Sequence, residues 1–165
     1  MSKTINANGQ MILLLGGARA GKSSFALQLA AERERISRSE VCFIATAQAL
    51  DEDMSGRIAS HRSERPSHWR TIEEPFELDA ALRQTTDAGV VIVDCLTLFV
   101  SNWLLRDEQC ELQLRQITDD FLKLVQSRGQ TIICVSNEAG LGIVPETLLS
   151  RTFRDWLGRV NQQFA

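Results

Sequence analysis

The chain has 165 residues, of which 44% are hydrophobic and 24% charged, and its formal net charge is −3. This length suits one domain, and this composition allows a packed core without disulfides or structural metals. The acidic balance argues against a general nucleic-acid binder, which would carry a basic surface, but it leaves room for a small basic pocket.

The N-terminal residues 1–10 are polar and lack the apolar core of a signal peptide. We predict that they form a flexible extension and that residues 11–165 form a single domain. No apolar run approaches membrane-spanning length.

Short apolar runs alternate with helical patterns along the rest of the chain. The predicted strands cover 11–15, 41–44, 90–93 and 131–135, and the predicted helices cover 22–35, 51–62, 75–84, 108–128 and 145 to near the chain end. In the first helix the spacing predicts that Phe25, Leu29 and Ile36 lie near one face. The alternation predicts an α/β fold with a mostly parallel sheet and helices on both faces.

The four cysteines include Cys42 and Cys134 in strand-like runs and Cys95 directly after one. None forms a CxxC pair, and only two histidines are present, so a zinc site is not expected. We predict buried thiols in a reducing cytoplasm.

Residues 16–23 read GGARAGKS and satisfy the pattern GxxxxGK[ST] between a predicted strand and a predicted helix. In this pattern, a P-loop, backbone amides wrap around phosphates, the lysine reaches the β and γ phosphates, and the Ser/Thr hydroxyl binds Mg²⁺. The predicted phosphate-binding residues are Gly16, Gly17, Ala18, Arg19, Ala20, Gly21, Lys22 and Ser23. The alternative is an ordinary glycine-rich turn.

The ends of the other strands should share one rim with this loop, because ligands bind at the carboxyl ends of parallel strands. Ala45, Asp94 and Ser136 each follow a strand. Asp94 is predicted to hold Mg²⁺ directly or through water. The alternative is an aspartate that caps the following turn.

His61 lies late in the predicted helix 51–62, on the side of Met54 and Ile58, and Arg62 and Arg65 follow it. An imidazole beside cations and near bound phosphates can attack a phosphorus atom. His68 is the other histidine, and a structural or exposed role remains open for both. The arginines equally suit a solvated face.

Arg151, Arg154 and Arg159 lie on the last predicted helix. Phosphoryl transfer needs cations, but arginines at helical spacing are usually surface residues, so both readings stay open.

Several segments of specific sequence accompany the P-loop: IATAQ at 44–48, DEDMSGRI at 51–58, RPSHWRT at 65–71, DCLT at 94–97 and SNEAGLGIVP at 136–145. Together with the last helix they make residues 11–165 resemble the bifunctional adenosylcobinamide kinase/adenosylcobinamide-phosphate guanylyltransferase family. The resemblance implies a P-loop NTPase fold of the RecA-like type.

The resemblance also implies two reactions. ATP or GTP phosphorylates the aminopropanol hydroxyl of adenosylcobinamide, and GMP from GTP is then transferred onto that phosphate to give adenosylcobinamide-GDP. A histidine carries GMP covalently in this family, and His61 matches it by position. Lys22 is the second catalytic residue, and Ser23 and Asp94 hold Mg²⁺.

The family's GTP contacts map onto the P-loop and onto Ala45, Thr46, Ala47, Arg62, Ser63, Glu64, Arg65, Glu73 and Asp94. The loop 137–145 is the candidate for corrinoid contact. Relatives in this family assemble as homotrimers and continue past the last helix into a further strand, whereas this sequence stops at Ala165.

Two other functions remain open. A P-loop small-molecule kinase would need no role for His61. A nucleotide-dependent switch or strand-binding ATPase would turn over nucleotide in response to a protein or DNA, although the acidic composition disfavours it.

Overall fold

The computed structural model describes residues 10–165. Of the predicted extension, residues 1–9 lie outside this range, and Gln10 is the first residue of the first strand. The strands are β1 (Gln10–Leu14), β2 (Glu40–Ala45), β3 (Arg70–Glu73), β4 (Ala88–Asp94) and β5 (Thr131–Val135). The helices are α1 (Lys22–Ser37), α2 (Glu52–Ser63), α3 (Leu78–Arg83), α4 (Leu96–Arg106), α5 (Glu111–Ser127) and α6 (Leu148–Phe164).

The five strands form one sheet in the order β1-β5-β4-β2-β3, and every neighbouring pair is parallel. The register aligns Ile12, Ile133, Ile92 and Phe43 in one row across four strands. Strand β5 therefore separates the strand that leads into the P-loop from the strand that ends at Asp94. The predicted α/β fold is confirmed.

Side chains of the buried strands alternate between two hydrophobic layers. Cys42, Ile44 and Val91 pack on one face with residues of α3, α4, α5 and α6. Val41 and Ile92 pack on the other face with α1 and Trp69. Helices on both faces, as predicted, leave the carboxyl edge of the sheet open between the two layers.

The predicted apolar face of α1 is only partly buried: Leu29 packs against the hydrophobic layer that contains Ala26 and Ala30. Ala26 and Ala30 are buried, whereas Phe25 is 53% and Ile36 65% exposed. The P-loop fixes where α1 begins and hence how the helix is rotated. Small alanines on the inward face let the helix approach the sheet closely.

Two elements carry no clear signal in the sequence. Strand β3 has four residues, is polar at both ends and forms an edge of the sheet beside β2. Helix α4 buries Asn102 and Leu104 as well as the stripe that contains Leu96, Phe99 and Trp103, so an amphipathic pattern is weak.

Two predicted helix starts at proline are wrong by three residues. Helix α3 begins at Leu78, because the Glu74 carboxylate accepts hydrogen bonds from the amides of Phe76 and Glu77 and holds Pro75 in a turn. Helix α6 begins at Leu148, where Thr147 caps it by accepting from the Ser150 amide at 3.2 Å. Among residues 10–165, no helix combines the length and apolarity needed to cross a lipid bilayer.

Candidate active site

A cleft of about 770 Å³ lies at the carboxyl edge of the sheet. Its walls come from the P-loop, the ends of β2, β4 and β5, and helix α2. The residues predicted from the sequence that line it are Ala18, Arg19, Ala20, Gly21, Lys22, Ser23, Ala45, Ala47, His61, Arg62, Glu64, Arg65, Glu73 and Asp94. Its size is that of a site for one small-molecule ligand.

The P-loop positions the amino-terminal end of α1 at this cleft. Gly21 adopts a left-handed conformation (φ 80°) directly before the helix, which glycine accepts without strain. Free amides at a helix N-terminus bind anions. Lys22 Nζ donates to the Gly17 carbonyl at 2.6 Å, so the lysine lies across its own loop.

Asp94 lies beside Ser23 at the tip of β4. Burial raises the pKa of Asp94, while the nearby Ser23 hydroxyl and the neighbouring side chains of His61, Arg65 and Lys22 oppose that rise. A carboxylate and a hydroxyl are oxygen donors of the kind that Mg²⁺ prefers, and Mg²⁺ bound with nucleotides usually takes only one or two protein ligands. This pair of residues fits a magnesium ion.

Helix α2 carries His61 into the cleft. Asp51 caps the helix by accepting from the Met54 amide at 2.6 Å. No residue of α2 is buried, and Met54, Ile58 and His61 line the cleft instead of packing into the core. The apolar face seen in the sequence therefore belongs to the site.

Arg65 stacks on the aromatic ring of Phe43, and the charge of Asp94 acts on it. Its guanidinium lies over the Phe43 ring, with 3.6 Å from Cζ to the ring centroid, and its Nε is buried without a hydrogen-bond partner. Burial lowers the pKa of Arg65, and Asp94 partly restores it. Arg62 lies closer to solvent and pairs with Glu73 at 3.5 Å.

The structure places four predicted contacts outside the lining: Gly16, Gly17, Thr46 and Ser63. The Thr46 hydroxyl is fully buried and exchanges two hydrogen bonds of 2.8 Å with the backbone of Cys95. It ties the end of β2 to the segment after β4. The Ser63 hydroxyl donates to the Ser60 carbonyl at 2.7 Å within α2.

The second histidine lies away from the cleft. His68 Nε2 is 2.8 Å from Glu34 Oε1, and the Trp69 indole donates to the other oxygen of Glu34. His68 therefore links the loop before β3 to α1, and of the two histidines only His61 lines the cleft.

The arginines of α6 are also outside the lining. Arg151 donates to the carbonyls of Pro145 and Glu146, Arg154 pairs with Asp155, and Arg159 lies over Trp156. These contacts favour the structural reading that the sequence left open.

Several lining residues were missed, among them Arg57, Cys95 and Thr97, whereas Asn137, which also lines the cleft, was predicted only as part of the corrinoid-contacting loop 137–145. Arg57 could have been predicted because it lies one helical turn before His61, and Asn137 because it follows β5. Burial raises the pKa of Cys95 to about 11, so its thiol is protonated at neutral pH and is a poor nucleophile.

Comparison with known proteins finds relatives that match nearly the whole chain. Residues 12–165 match the model of the family described as cobinamide kinase / cobinamide phosphate guanyltransferase. The bifunctional adenosylcobalamin biosynthesis protein CobP of Pseudomonas aeruginosa PAO1 is 48% identical over 154 residues, which are 93% of this chain and 86% of that relative. The protein CobU of Escherichia coli K12, with the same description, is 39% identical over 94% of this chain and 90% of its own length. The chain therefore belongs to the cobinamide kinase / cobinamide phosphate guanyltransferase family.

Proposed function

We propose that this chain phosphorylates adenosylcobinamide and then transfers GMP to the product, and that one cleft serves both reactions. The observation that carries the proposal is that the P-loop, Asp94 and His61 line the same cleft. A kinase without a covalent intermediate would need no imidazole there. The family membership supplies the two reactions, and the geometry supplies residues for each.

The kinase step uses the P-loop end of the cleft. Backbone amides and Lys22 hold the β and γ phosphates of ATP or GTP. The oxygen of the acceptor hydroxyl attacks the γ-phosphorus, the bond to the β-phosphate oxygen breaks, and the nucleoside diphosphate leaves. Mg²⁺, held by Ser23 and Asp94, would neutralise charge on the phosphate oxygens.

The guanylyl step uses the α2 side of the cleft. The unprotonated ring nitrogen of His61 attacks the α-phosphorus of GTP, a P–N bond forms, and pyrophosphate leaves. A phosphate oxygen of the phosphorylated acceptor then attacks the same phosphorus and releases His61. Arg62 and Arg65 offset the charge that develops on the phosphoryl oxygens.

The acceptor is a large corrinoid, and we propose that it rests on the rim of the cleft beyond Asn137. The segment that follows β5 exposes large apolar side chains to solvent: Leu141 is 85% and Ile143 96% exposed, and Val144 and Leu148 are exposed as well. Several large apolar side chains exposed in one short segment beside a functional cleft are typical of a binding surface. The continuity of this segment with the lining residue Asn137 supports this placement.

We further propose a cytoplasmic homotrimer that requires Mg²⁺. The assembly and location rest on the family resemblance, and the metal rests on the pairing of Ser23 with Asp94. Light scattering of the purified protein tests the assembly, and activity after chelation and metal restoration tests the metal.

Parallel incubations with γ-labelled and α-labelled GTP test the function. With adenosylcobinamide, the γ label should enter a phosphorylated corrinoid, and the α label should enter first the protein and then adenosylcobinamide-GDP. Transfer of the γ label alone, with no α label in protein or product, would support the simple kinase instead. Turnover that responds to DNA or to a protein but not to cobinamide would contradict both enzymes.

A further inference from the structure

Asn137 lies between the P-loop and Asp94. Strand β5 runs between β1 and β4, so the residues after Val135 emerge between the two phosphate-handling segments. The Ser136 amide donates to the Leu14 carbonyl at 3.0 Å, and the Glu138 amide donates to the Gly16 carbonyl at 3.3 Å. The backbone on both sides of Asn137 is thereby attached to the start of the P-loop.

The peptide groups of Asn137 are also held from two helices. Its amide donates to the Thr97 hydroxyl of α4 at 2.9 Å, and its carbonyl accepts from Asn161 Nδ2 of α6 at 3.0 Å. Asn161 Oδ1 accepts from the hydroxyl of the fully buried Ser136 at 2.6 Å. Because the Asn137 carbonyl only accepts, the orientation of the Asn161 amide is fixed.

Unlike its hydrogen-bonded peptide groups, the side chain of Asn137 is available to a ligand. It lines the cleft, is partly exposed, and forms no hydrogen bond with any of residues 10–165. The buried Asn102, in contrast, donates to the carbonyls of Thr46 and Pro75. A rigid backbone thus presents a side-chain NH2 donor and a carbonyl acceptor to the cleft that Lys22 and Asp94 also line.

We propose that Asn137 binds the terminal phosphoryl group during the kinase step and that Asn161 is its positioning residue. This rests on the proposed function. Asn137 Nδ2 donates to an oxygen of the γ-phosphoryl group, and Oδ1 accepts the hydrogen bond of the acceptor hydroxyl. The hydroxyl oxygen bonds to the γ-phosphorus, the electrons of the broken P–O bond stay on the nucleoside diphosphate, and the hydroxyl proton passes to water.

The sheet order separates this role from that of His61. Asn137 follows β5, beside the P-loop strand, whereas α2 with His61 follows β2, on the far side of β4. A triphosphate held by the P-loop therefore meets Asn137 and His61 from different sides. Loss of the Asn137 amide should slow transfer of the γ-phosphoryl group and leave attack on the α-phosphorus nearly unchanged.

Asn137→Ala, Asn137→Ser and the control Gln162→Ala, an exposed neighbour of Asn161 on α6, test the proposal. Loss of one preorganised donor typically lowers kcat by about 10²-fold. We expect such a loss in γ-label transfer to adenosylcobinamide for both Asn137 variants. Single-turnover guanylylation of His61 from α-labelled GTP should stay within about threefold of wild type.

The positioning role is tested by Asn161→Ala alone and combined with Asn137→Ala. Asn161→Ala should lower the kinase kcat, and the double variant should be no slower than Asn137→Ala, because Asn161 acts through Asn137. If Asn161 had only a structural role, its replacement would lower the kinase kcat of the double variant below that of Asn137→Ala. It would also slow guanylylation as much as it slows the kinase step. The Tm of each variant is measured alongside.

The outcomes separate this inference from the proposed function. If wild-type protein transfers both groups while the Asn137 variants keep wild-type kinase kcat, the inference is wrong and the function stands. Equal losses in both steps would also overturn it, because Asn137 would then bind the nucleotide without distinguishing the two reactions. Wild-type protein that transfers neither label would contradict the proposed function itself.

Discussion

The guanidinium of Arg65 lies over the ring of Phe43, with 3.6 Å between Cζ and the ring centroid. Phe43 belongs to β2 and is buried in the sheet, so a rigid surface sets the position of a cation that faces the cleft. Nε is buried and unpaired, and the rest of the guanidinium is close enough to Asp94 for that carboxylate to affect its pKa. The arrangement holds a cation ready for a phosphoryl oxygen.

Replacement of Arg65 by lysine should keep the charge and lose the stacked, planar fork. We expect guanylylation of His61 to slow by about 10-fold, in line with a desolvated cation–π contact of roughly 1–2 kcal/mol. Single-turnover labelling with α-labelled GTP measures it. Arg70→Lys is the matched control, because Arg70 pairs with Asp87 away from the cleft. Equal rates for both variants would show that the stacking on Phe43 has no role.

Asp94→Asn should make the ligand-free protein more stable and make the enzyme less active. Burial raises the pKa of Asp94, so the nucleotide-free folded state holds this proton at pH values where the unfolded chain has lost it. Stability therefore falls as pH rises from the unfolded pKa through the raised folded pKa, and the loss is complete above it. The variant should have a higher Tm than wild type at pH 8 without ligands.

The same variant should lose both transfer reactions by about 10²-fold or more, because a metal ligand supplies several kcal/mol of transition-state stabilisation. Thermal scans from pH 4 to pH 8 and the two labelling assays measure the two effects. Asp119→Asn, at an exposed position of α5, should change neither. A lower Tm for Asp94→Asn at pH 8 would contradict the burial argument.

Lys22→Ala should weaken GTP binding by about 10- to 100-fold, since a hydrogen bond to a charged group contributes roughly 1.5–3 kcal/mol. The lysine lies over the P-loop with its Nζ 2.6 Å from the Gly17 carbonyl, where a phosphate can replace that contact. Isothermal titration gives the affinity. Lys123→Ala removes a surface lysine paired with Asp120 and should bind as wild type does. Unchanged affinity for Lys22→Ala would show that the P-loop lysine does not bind the phosphates of GTP.

Amides of α2 should exchange hydrogen at least about 10-fold faster than those of α5 in the absence of nucleotide. Helix α2 buries no residue, whereas α5 buries Leu114, Ile117 and Phe121, and local opening is easiest where few apolar contacts hold a helix. GTP should slow exchange in α2 because its side chains line the nucleotide cleft. Exchange measured by mass spectrometry shows both effects, and an α2 insensitive to GTP would argue against His61 near the nucleotide.

The sequence predicted the parallel α/β fold because apolar runs and helical patterns alternate plainly, and β5 was predicted at its observed bounds. Features set by tertiary contacts were not predictable. The polar β3 becomes a strand because β2 offers it an edge, and α1 rotates Ala26 inward because the P-loop fixes its start. Burial along α5 also depends on tertiary packing: Leu112 is 78% exposed, while Leu114 on the same helix is buried.

In the cleft, too, local motifs were predictable and positions set by tertiary contacts were not. Motifs contiguous in sequence, the P-loop above all, could be recognised directly. Asn137 was expected only as part of a corrinoid-contacting loop, because its position beside the P-loop depends on β5 lying between β1 and β4 and on hydrogen bonds with Thr97 and Asn161, residues 40 and 24 positions away. Thr46 was predicted as a nucleotide contact from the family pattern. Its hydroxyl instead donates a hydrogen bond to the Cys95 carbonyl, and Thr46 does not line the cleft.

The covalent role of His61 is tested most directly by mapping the label after incubation with α-labelled GTP. His68 is the natural control, because it contacts Glu34 outside the cleft. We predict an acid-labile, base-stable GMP adduct on His61 that is absent from His61→Asn and retained by His68→Asn. An adduct that persists in His61→Asn, or one that maps to any other residue, would contradict the account.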